Sequence, residues 1–159
     1  MKEYSDIVRN VMIIHKYFRL YFKDCFKKYD INSAEAMVIL MLCGKTAPPE
    51  NDLFKIVHSG SDGATQEQLI GELHFDKSVM TRTIQSLEAK GYVTRENNPA
   101  DSRSFLISPS PRALDLKPVI DEVLENWDKM MLENIDDIKA VSRAISRMAQ
   151  NIRSDYKGE

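Results

Sequence analysis

The chain has 159 residues, an apolar share of 43%, six glycines, six prolines and a formal charge of −2. That apolar share supports a buried core, and scarce Gly and Pro favour helices over a sandwich or barrel. The two cysteines make no disulfide framework, no apolar run reaches the roughly 18 residues of a membrane span, and no charged-then-apolar leader opens the chain, so a reducing cytoplasmic setting is expected.

Tyr4, Val8, Val11, His15, Phe18, Phe22, Cys25 and Tyr29 recur in steps of four and three. This heptad-like stripe predicts one long helix from Tyr4 to Tyr29. Ile7, Met12, Ile14 and Phe26 widen the stripe, so the helix should touch neighbours on more than one side. Asn32-Ser33-Ala34-Glu35 reads as a capping box that opens a second helix, Ser33 to Cys43. That helix is apolar nearly all round and should be buried. Gly44 to Ala64 is the least regular stretch, with Pro48-Pro49 and Ser59 to Gly63, although Leu53 to His58 has room for a helical turn or two. A connection this long is unusual in a compact domain.

Thr65-Gln66-Glu67-Gln68 is a second capping box, opening a short helix through Leu73. Only His74, Phe75 and Asp76 separate it from the next helix, which is the spacing of a helix-turn-helix. Asp76 is the expected N-cap, and His74 is expected at positive φ. On the following helix Met80, Ile84 and Leu87 fall within about 60° on a wheel of about 100° per residue, so they face the core. Ser78, Arg82 and Gln85 point the opposite way, with Lys77 and Thr81 at the flank. These side chains can donate to base edges or phosphates. Gly91 ends the helix as a C-cap glycine.

Tyr92 to Arg95 and Ser104 to Ile107 read as the two strands of a hairpin. Glu96 to Ser102 is its polar turn, presenting Asn97, Asn98, Asp101 and Arg103 to solvent. Asp101 is spaced to hold the Arg103 side chain by a charge-assisted hydrogen bond. An arginine at a hairpin tip suits insertion into a narrow minor groove. Between Thr65 and Arg112 six lysines and arginines face six carboxylates. DNA binding by so neutral a module needs its cations segregated onto one face.

The run Ser108-Pro109-Ser110-Pro111 marks the next helix start, with serine as N-cap and proline at the first helical position. Leu114, Val119, Ile120, Val123, Leu124, Trp127, Met130 and Met131 give that helix a long apolar stripe, which Pro118 should kink. A last helix is expected from about Ile135, with Ile138, Val141, Ile145, Met148 and Ile152 as an a/d seam. Little sequence remains to bury that seam, so a homodimer built from the terminal helices is expected. The expected architecture is mostly α with a small β wing. Residues 1–31 form a dimerisation helix, 32–112 a winged helix-turn-helix domain with its long 44–64 connection, and 113–159 further dimerisation helices.

Three groups of residues carry a family resemblance: Asp76-Lys77-Ser78-Val79-Met80-Thr81-Arg82, then Leu87 to Arg95 (LEAKGYVTR), then Asn98-Pro99-Ala100-Asp101-Ser102-Arg103. On these, the region Asn32 to Leu114 resembles the MarR family of winged-helix transcription regulators. The resemblance implies a dimer on a pseudo-palindromic operator, with recognition helices in successive major grooves. It implies that Thr65 and Gln66 approach the DNA backbone and that Lys77, Ser78, Thr81 and Arg82 read the major groove. Arg103 matches the family's wing arginine, Asp101 its partner, and Arg95 the strand arginine near the wing base. The chain departs from the family pattern at Ser102, where a second wing arginine is common. It departs again at Ile107 to Pro111, which changes how the next helix is capped, and in the length of Gly44 to Ala64.

The resemblance also implies a small-molecule effector, commonly phenolic or anionic, held between the first, second and fifth helices. His15, Phe18, Arg19 and Met41 are the candidates, with orientation falling to His15 or Arg19. The plainer reading makes His15 a core histidine on the seam. Cys25 and Cys43 lie on apolar stripes and read as inert core thiols, with a cysteine-based redox regulator as the alternative. No nucleophile–base pair, phosphate loop or metal spacing occurs, so neither enzyme nor cofactor nor metal is expected. The expected function is a homodimeric, DNA-binding regulator, a repressor released by a small molecule. The alternative from a different class is a winged helix used as a protein-interaction module without a DNA target.

Overall fold

A computed structural model of the chain describes residues 2–43 and 63–155. The expected irregular connection at 44–64 falls almost wholly outside them, as do the helical turn expected at Leu53 to His58 and His58 itself. The elements in order are α1 (Lys2–Phe26), a 3-10 turn (Lys27–Tyr29), α2 (Ser33–Cys43), β1 (Ala64–Thr65), α3 (Gln66–Leu73), α4 (Lys77–Ala89), β2 (Val93–Asn97), β3 (Phe105–Pro109), α5 (Pro111–Met131) and α6 (Ile138–Asp155). The described chain is mostly helical with one small sheet, as expected. It divides into two compact units, 1–124 and 125–159.

In the first unit the second helix starts as its sequence dictates. Asn32 Oδ1 accepts from the Glu35 backbone N–H at 2.9 Å, and Glu35 Oε2 accepts from the Asn32 N–H at 2.8 Å. The capping box of α3 is equally complete, with Thr65 N–H donating to Gln68 Oε1 at 2.8 Å and Gln68 N–H to Thr65 Oγ1 at 3.2 Å. His74 takes the left-handed conformation at φ 53°, the expected cost of a tight turn without glycine.

Asp76 occupies the N-cap position of α4 and its carbonyl accepts from Met80 N–H, but its side chain makes no capping bond. Phe75 packs against the core that holds Met80. Apolar residues thus flank the cap on both sides and fix the helix entry in place of the carboxylate. At the other end Gly91 (φ 75°) closes a Schellman motif, with Gly91 N–H on Glu88 O and Tyr92 N–H on Leu87 O.

The sheet has three antiparallel strands in the order β1-β3-β2, where the sequence suggests only a hairpin. The extra strand is just Ala64 and Thr65, opposite Ile107 and Leu106. Gly63 makes it possible. At φ +73° it lies so close to β3 that a Cβ there would meet the Ile107 carbonyl oxygen at 2.7 Å and collide with the Ser108 hydroxyl. The hairpin strands also run farther than expected, through Asn97 on one side and Pro109 on the other.

In the core of this unit Phe22 and Phe26 of α1, Leu69 of α3, Met80, Ile84 and Leu87 of α4, Ile107 of β3 and Ile120 of α5 are buried, and α2 is covered all round, with Ala36, Val38, Ile39 and Met41 inside. The long α1 stripe divides in two. Its C-terminal half enters this core, with Phe18 and Phe22 ring centroids 4.2 Å apart. Its N-terminal half does not, and Val8, Val11 and Met12 are 62%, 56% and 67% exposed. Ser110 caps α5, accepting from Ala113 N–H, and Pro111 takes the first helical position as predicted. The helix continues without a break through Pro118.

In the second unit α6 begins at Ile138, three residues later than expected. Asp137 is its true cap, accepting from Ala140 N–H at 2.8 Å, and Asn134 turns the preceding chain at φ 61°. No α6 residue is buried.

Candidate nucleic-acid interface

The surface that α4 presents follows from what it buries. Met80, Thr83, Ile84 and Leu87 turn inward, so Lys77, Ser78, Arg82 and Gln85 are exposed and Thr81 is half-exposed at the flank. Thr83 was not among the expected core residues. Its hydroxyl bonds the Val79 carbonyl at 2.9 Å, which satisfies the one polar atom it takes inside.

Two bonds shape this exposed face. Gln66 Nε2 donates to Thr81 Oγ1 at 2.8 Å, and Thr81 Oγ1 donates to the Lys77 carbonyl at 2.8 Å. The first ties the opening of α3 to α4. It leaves the Gln66 carbonyl oxygen and second amide N–H for another partner. Arg82 Nε donates to the Ser78 carbonyl at 3.2 Å. That folds the guanidinium along its own helix and keeps four N–H groups, a planar fork, for an acceptor.

Beside this face lies a groove of about 280 Å³ lined by Thr65, Gln66, Glu67, Ile70, Lys77, Arg95, Arg103, Ser104, Phe105 and Ile107. It brings together five of the ten expected DNA-contact residues: Thr65, Gln66, Lys77, Arg95 and Arg103. Three of the module's six cations line it, against the one carboxylate of Glu67. Ser78, Thr81, Arg82 and Gln85 form the adjoining helix face. Arg95 is held from behind, with Nε 3.6 Å from Glu88 Oε2 and its guanidinium 5.4 Å from the centre of the Phe105 ring. Its buried Nε has no hydrogen-bond partner, since 3.6 Å is too long for one.

The wing tip corrects one expectation. The Asp101 carboxylate does not hold the Arg103 side chain; Oδ1 accepts from the Arg103 backbone N–H at 3.0 Å. At a separation of two residues the backbone amide is the nearer donor, as in any Asx turn. The tip is further knitted by Asn98, expected merely to face solvent. Its Oδ1 accepts from Ala100 N–H at 3.0 Å and its Nδ2 donates to Ser104 Oγ at 2.9 Å. Asp101 and Arg103 both remain exposed on this shaped turn.

The four effector candidates separate. His15 and Arg19 line a groove of about 920 Å³ along α1, together with Val8, Met12, Ile13 and Leu20, the cations Arg9, Lys16 and Lys23, and Asn32 and Ser33 at the start of α2. Phe18 is packed against the core and Met41 is buried in it, so neither lines this groove. His15 is exposed, not a core histidine, because the winged core covers only the C-terminal half of α1. The flanking cations were missed. Arg9, Lys16 and Lys23 step by seven, and that spacing was the available signal.

Both cysteines are free and half-buried. Burial pushes the Cys43 thiol up to about 11, with Lys117 lowering and Asp121 raising it by less. Such a thiol is a poor nucleophile at neutral pH. Burial also raises the Tyr21 hydroxyl, and its hydrogen bond with Cys25 adds to the rise. Among the described residues no cluster of His, Cys, Asp or Glu is suited to a metal, and no helix is long and apolar enough to cross a membrane.

Comparison with known proteins finds relatives of this fold. Residues 55–104 match the model of the MarR family. The HTH-type transcriptional regulator BilQ of Clostridioides difficile (strain CD3) is 23% identical over 135 residues, which cover 85% of this chain and 80% of that protein. Among solved structures, a MarR family regulator from Listeria monocytogenes complexed with 26mer DNA superposes with a TM-score of 0.77 at 21% identity, over 93% of this chain and 89% of that one. CouR from Rhodococcus jostii RHA1, bound to p-coumaroyl-CoA, superposes with a TM-score of 0.72 at 16% identity, over 97% and 96%.

Proposed function

We propose that the chain is a MarR-family transcription regulator, as the family-model match over residues 55–104 and the similarity to BilQ support, and that it is a homodimeric repressor that reads a pseudo-palindromic operator and is released by a small molecule. The observation that carries the DNA reading is the exposed polar face of α4 lying beside the groove where Lys77, Arg95 and Arg103 converge. Ser78, Thr81, Arg82 and Gln85 read base edges in the major groove. Thr65, Gln66 and Lys77 take the flanking phosphates, and Arg103 on the turn shaped by Asp101 reaches the minor groove. Placed cations rather than bulk charge give the binding its salt dependence.

Dimerisation is supported by the uncovered apolar residues of α1 and α6. Val8, Val11 and Met12 on one, and Ile138, Ile145 and Ile152 on the other, give each helix its own exposed apolar stripe, which a solvated surface does not favour. The α1 groove supports an effector with an apolar body and an anionic head: Ile13 and Leu20 would hold the body, and His15 and Arg19 the charge. That CouR was solved with p-coumaroyl-CoA is consistent with a ligand of this kind. Release then follows if the ligand favours a dimer whose recognition helices miss the half-site spacing.

Selection of bound sequences from random DNA by the full-length chain tests this. We expect two inverted half-sites about 10 bp apart centre to centre. Recovery of no preferred sequence, with binding insensitive to salt, would reject the DNA reading in favour of a protein-interaction module.

A further inference from the structure

The recognition helix is pinned at both ends, and the pin at its C-terminal end has no part in the reading surface. Lys90, the C-cap of α4, sends its side chain back to the start of α2. Nζ lies 3.0 and 3.1 Å from the two carboxylate oxygens of Glu35 and 2.5 Å from the Asp30 carbonyl. Glu35 is 1% exposed. A carboxylate so buried is stable only when its charge and lone pairs are met, and here one lysine and one backbone amide meet them. The corner is closed from other sides too. The Lys90 carbonyl accepts from Arg112 Nη1 at 2.5 Å, Arg112 lies 4.3 Å over the Tyr92 ring, and the Tyr92 hydroxyl donates to the Tyr29 carbonyl at 3.0 Å.

Glu35 does two things at once. It completes the capping box with Asn32 and it anchors Lys90. Asn32 also forms part of the wall of the α1 groove. A continuous chain of polar contacts therefore runs from that groove through Asn32, Glu35 and Lys90 to the end of α4. The Lys90 side chain is only 25% exposed, so most of it is withdrawn from solvent and committed to this pair.

We propose that Glu35 and Lys90 are positioning residues for DNA recognition, holding the C-terminal end of α4 to the start of α2. The proposal rests on the DNA reading above. A buried ion pair contributes little net stability over an apolar pair, and its best-attested use is to fix one arrangement among several. Here the arrangement fixed is the direction of the helix that carries Ser78, Arg82 and Gln85.

The test uses the full-length chain and the operator recovered by selection. Glu35→Gln keeps an acceptor for the Asn32 amide and removes the charge. Lys90→Met removes the other partner, and Lys90→Arg can restore the pairing. Each variant is assayed well below its melting temperature, on operator and on random DNA, across a salt series. We expect Lys90→Met and Glu35→Gln each to weaken operator binding about tenfold with random-DNA binding unchanged. The double variant should lose no more than either single, and Lys90→Arg should recover most of the affinity. The slope of affinity against salt should stay at the wild-type value.

A lower melting temperature with unchanged operator affinity in the folded variants would overturn the proposal, because the pair would then be structural only. A salt slope reduced by about 0.9 would also overturn it, by making Lys90 a phosphate contact. If Lys90→Met does not fold, the milder Glu35→Gln decides between the same outcomes. A wild-type chain that selects no sequence rejects the DNA reading itself, and that result is distinct from a wild-type operator that the variants bind equally well.

Discussion

Helices α4 and α6 are written in the same way, with an apolar stripe on one face and polar residues on the other, yet the molecule treats them oppositely. Met80, Ile84 and Leu87 of α4 are fully buried, whereas Ile145 and Ile152 of α6 are 53% and 65% exposed. An apolar stripe specifies which face wants cover; it does not say what supplies it. For α4 the cover comes from the same unit, from α2, α3 and the sheet. For α6, in our reading, it comes from a second copy of the chain. The two ends of α1 repeat the contrast within one helix, Phe22 and Phe26 being buried while Val8 and Met12 are bare.

The contrast breaks most visibly in the core. Leu87→Ala should destabilise the winged unit by roughly 2–5 kcal/mol, since a fully buried leucine leaves a cavity that its neighbours fill only in part. Urea denaturation measures this, and operator binding should be lost as the unit unfolds. A loss below about 1 kcal/mol would mean that the α4 face is not the tightly packed surface described.

The next effect lies on the uncovered side. Ile145→Asp should leave the far-ultraviolet circular dichroism of freshly prepared protein unchanged and shift the proposed dimer toward monomers in sedimentation. A charge in a core interface is unpaired there, while on a free helix face it is merely solvated. A variant that stays dimeric at wild-type concentration would remove α6 from the interface. Truncation before Ile135 makes the same point more severely, giving monomers or insoluble protein.

Within the winged unit, the elements fixed by local rules were legible in the sequence. Both capping boxes, the αL histidine, the Schellman glycine and the serine–proline start of α5 are decided by residues within a turn of one another. Long-range contacts were not. The strand β1 has only two residues and exists because Gly63 lets the backbone approach β3, which no periodicity reveals. The pairing of Lys90 with Glu35 spans 55 positions. The signal for it was faint: on the wheel Lys90 falls beside Thr83, at the edge of the buried face, where a lysine needs a partner. In the candidate site the residue types were legible but their geometry was not. Asp101 was expected at the Arg103 guanidinium and is found at its amide, because spacing alone does not distinguish the two donors.

That correction changes what the wing variants should do. Arg103→Ala should weaken operator binding by about 1–3 kcal/mol without affecting dimerisation, as the loss of one contact made by an exposed side chain. Asp101→Ala should act indirectly, by loosening the turn that carries Arg103, and cost about 0.5–1.5 kcal/mol, the usual worth of a single hydrogen bond. Fluorescence anisotropy with operator DNA ranks the two. If Asp101→Ala matched or exceeded Arg103→Ala, the carboxylate would have a larger part in binding than shaping the turn.

The smallest expected effect is at Cys43, on the covered side of the contrast. Burial raises its thiol to about 11 from an ordinary value of 9.0, so the fold favours the neutral thiol. The contribution to stability is therefore intact below pH 9 and is lost as pH rises from about 9 toward 11, because the unfolded chain loses that proton first. At pH 7 to 8 the thiol is protonated, which predicts slow alkylation by iodoacetamide in the native chain and fast alkylation in urea. Operator binding by Cys43→Ser should match the wild type before and after mild peroxide. Peroxide that released wild-type protein from DNA, but not Cys43→Ser, would make Cys43 a sensor and return the redox reading to contention. An uncovered thiol on a bare helix face would react; the expected inertness of Cys43 shows that even half-burial in the winged unit is enough to hold a thiol neutral.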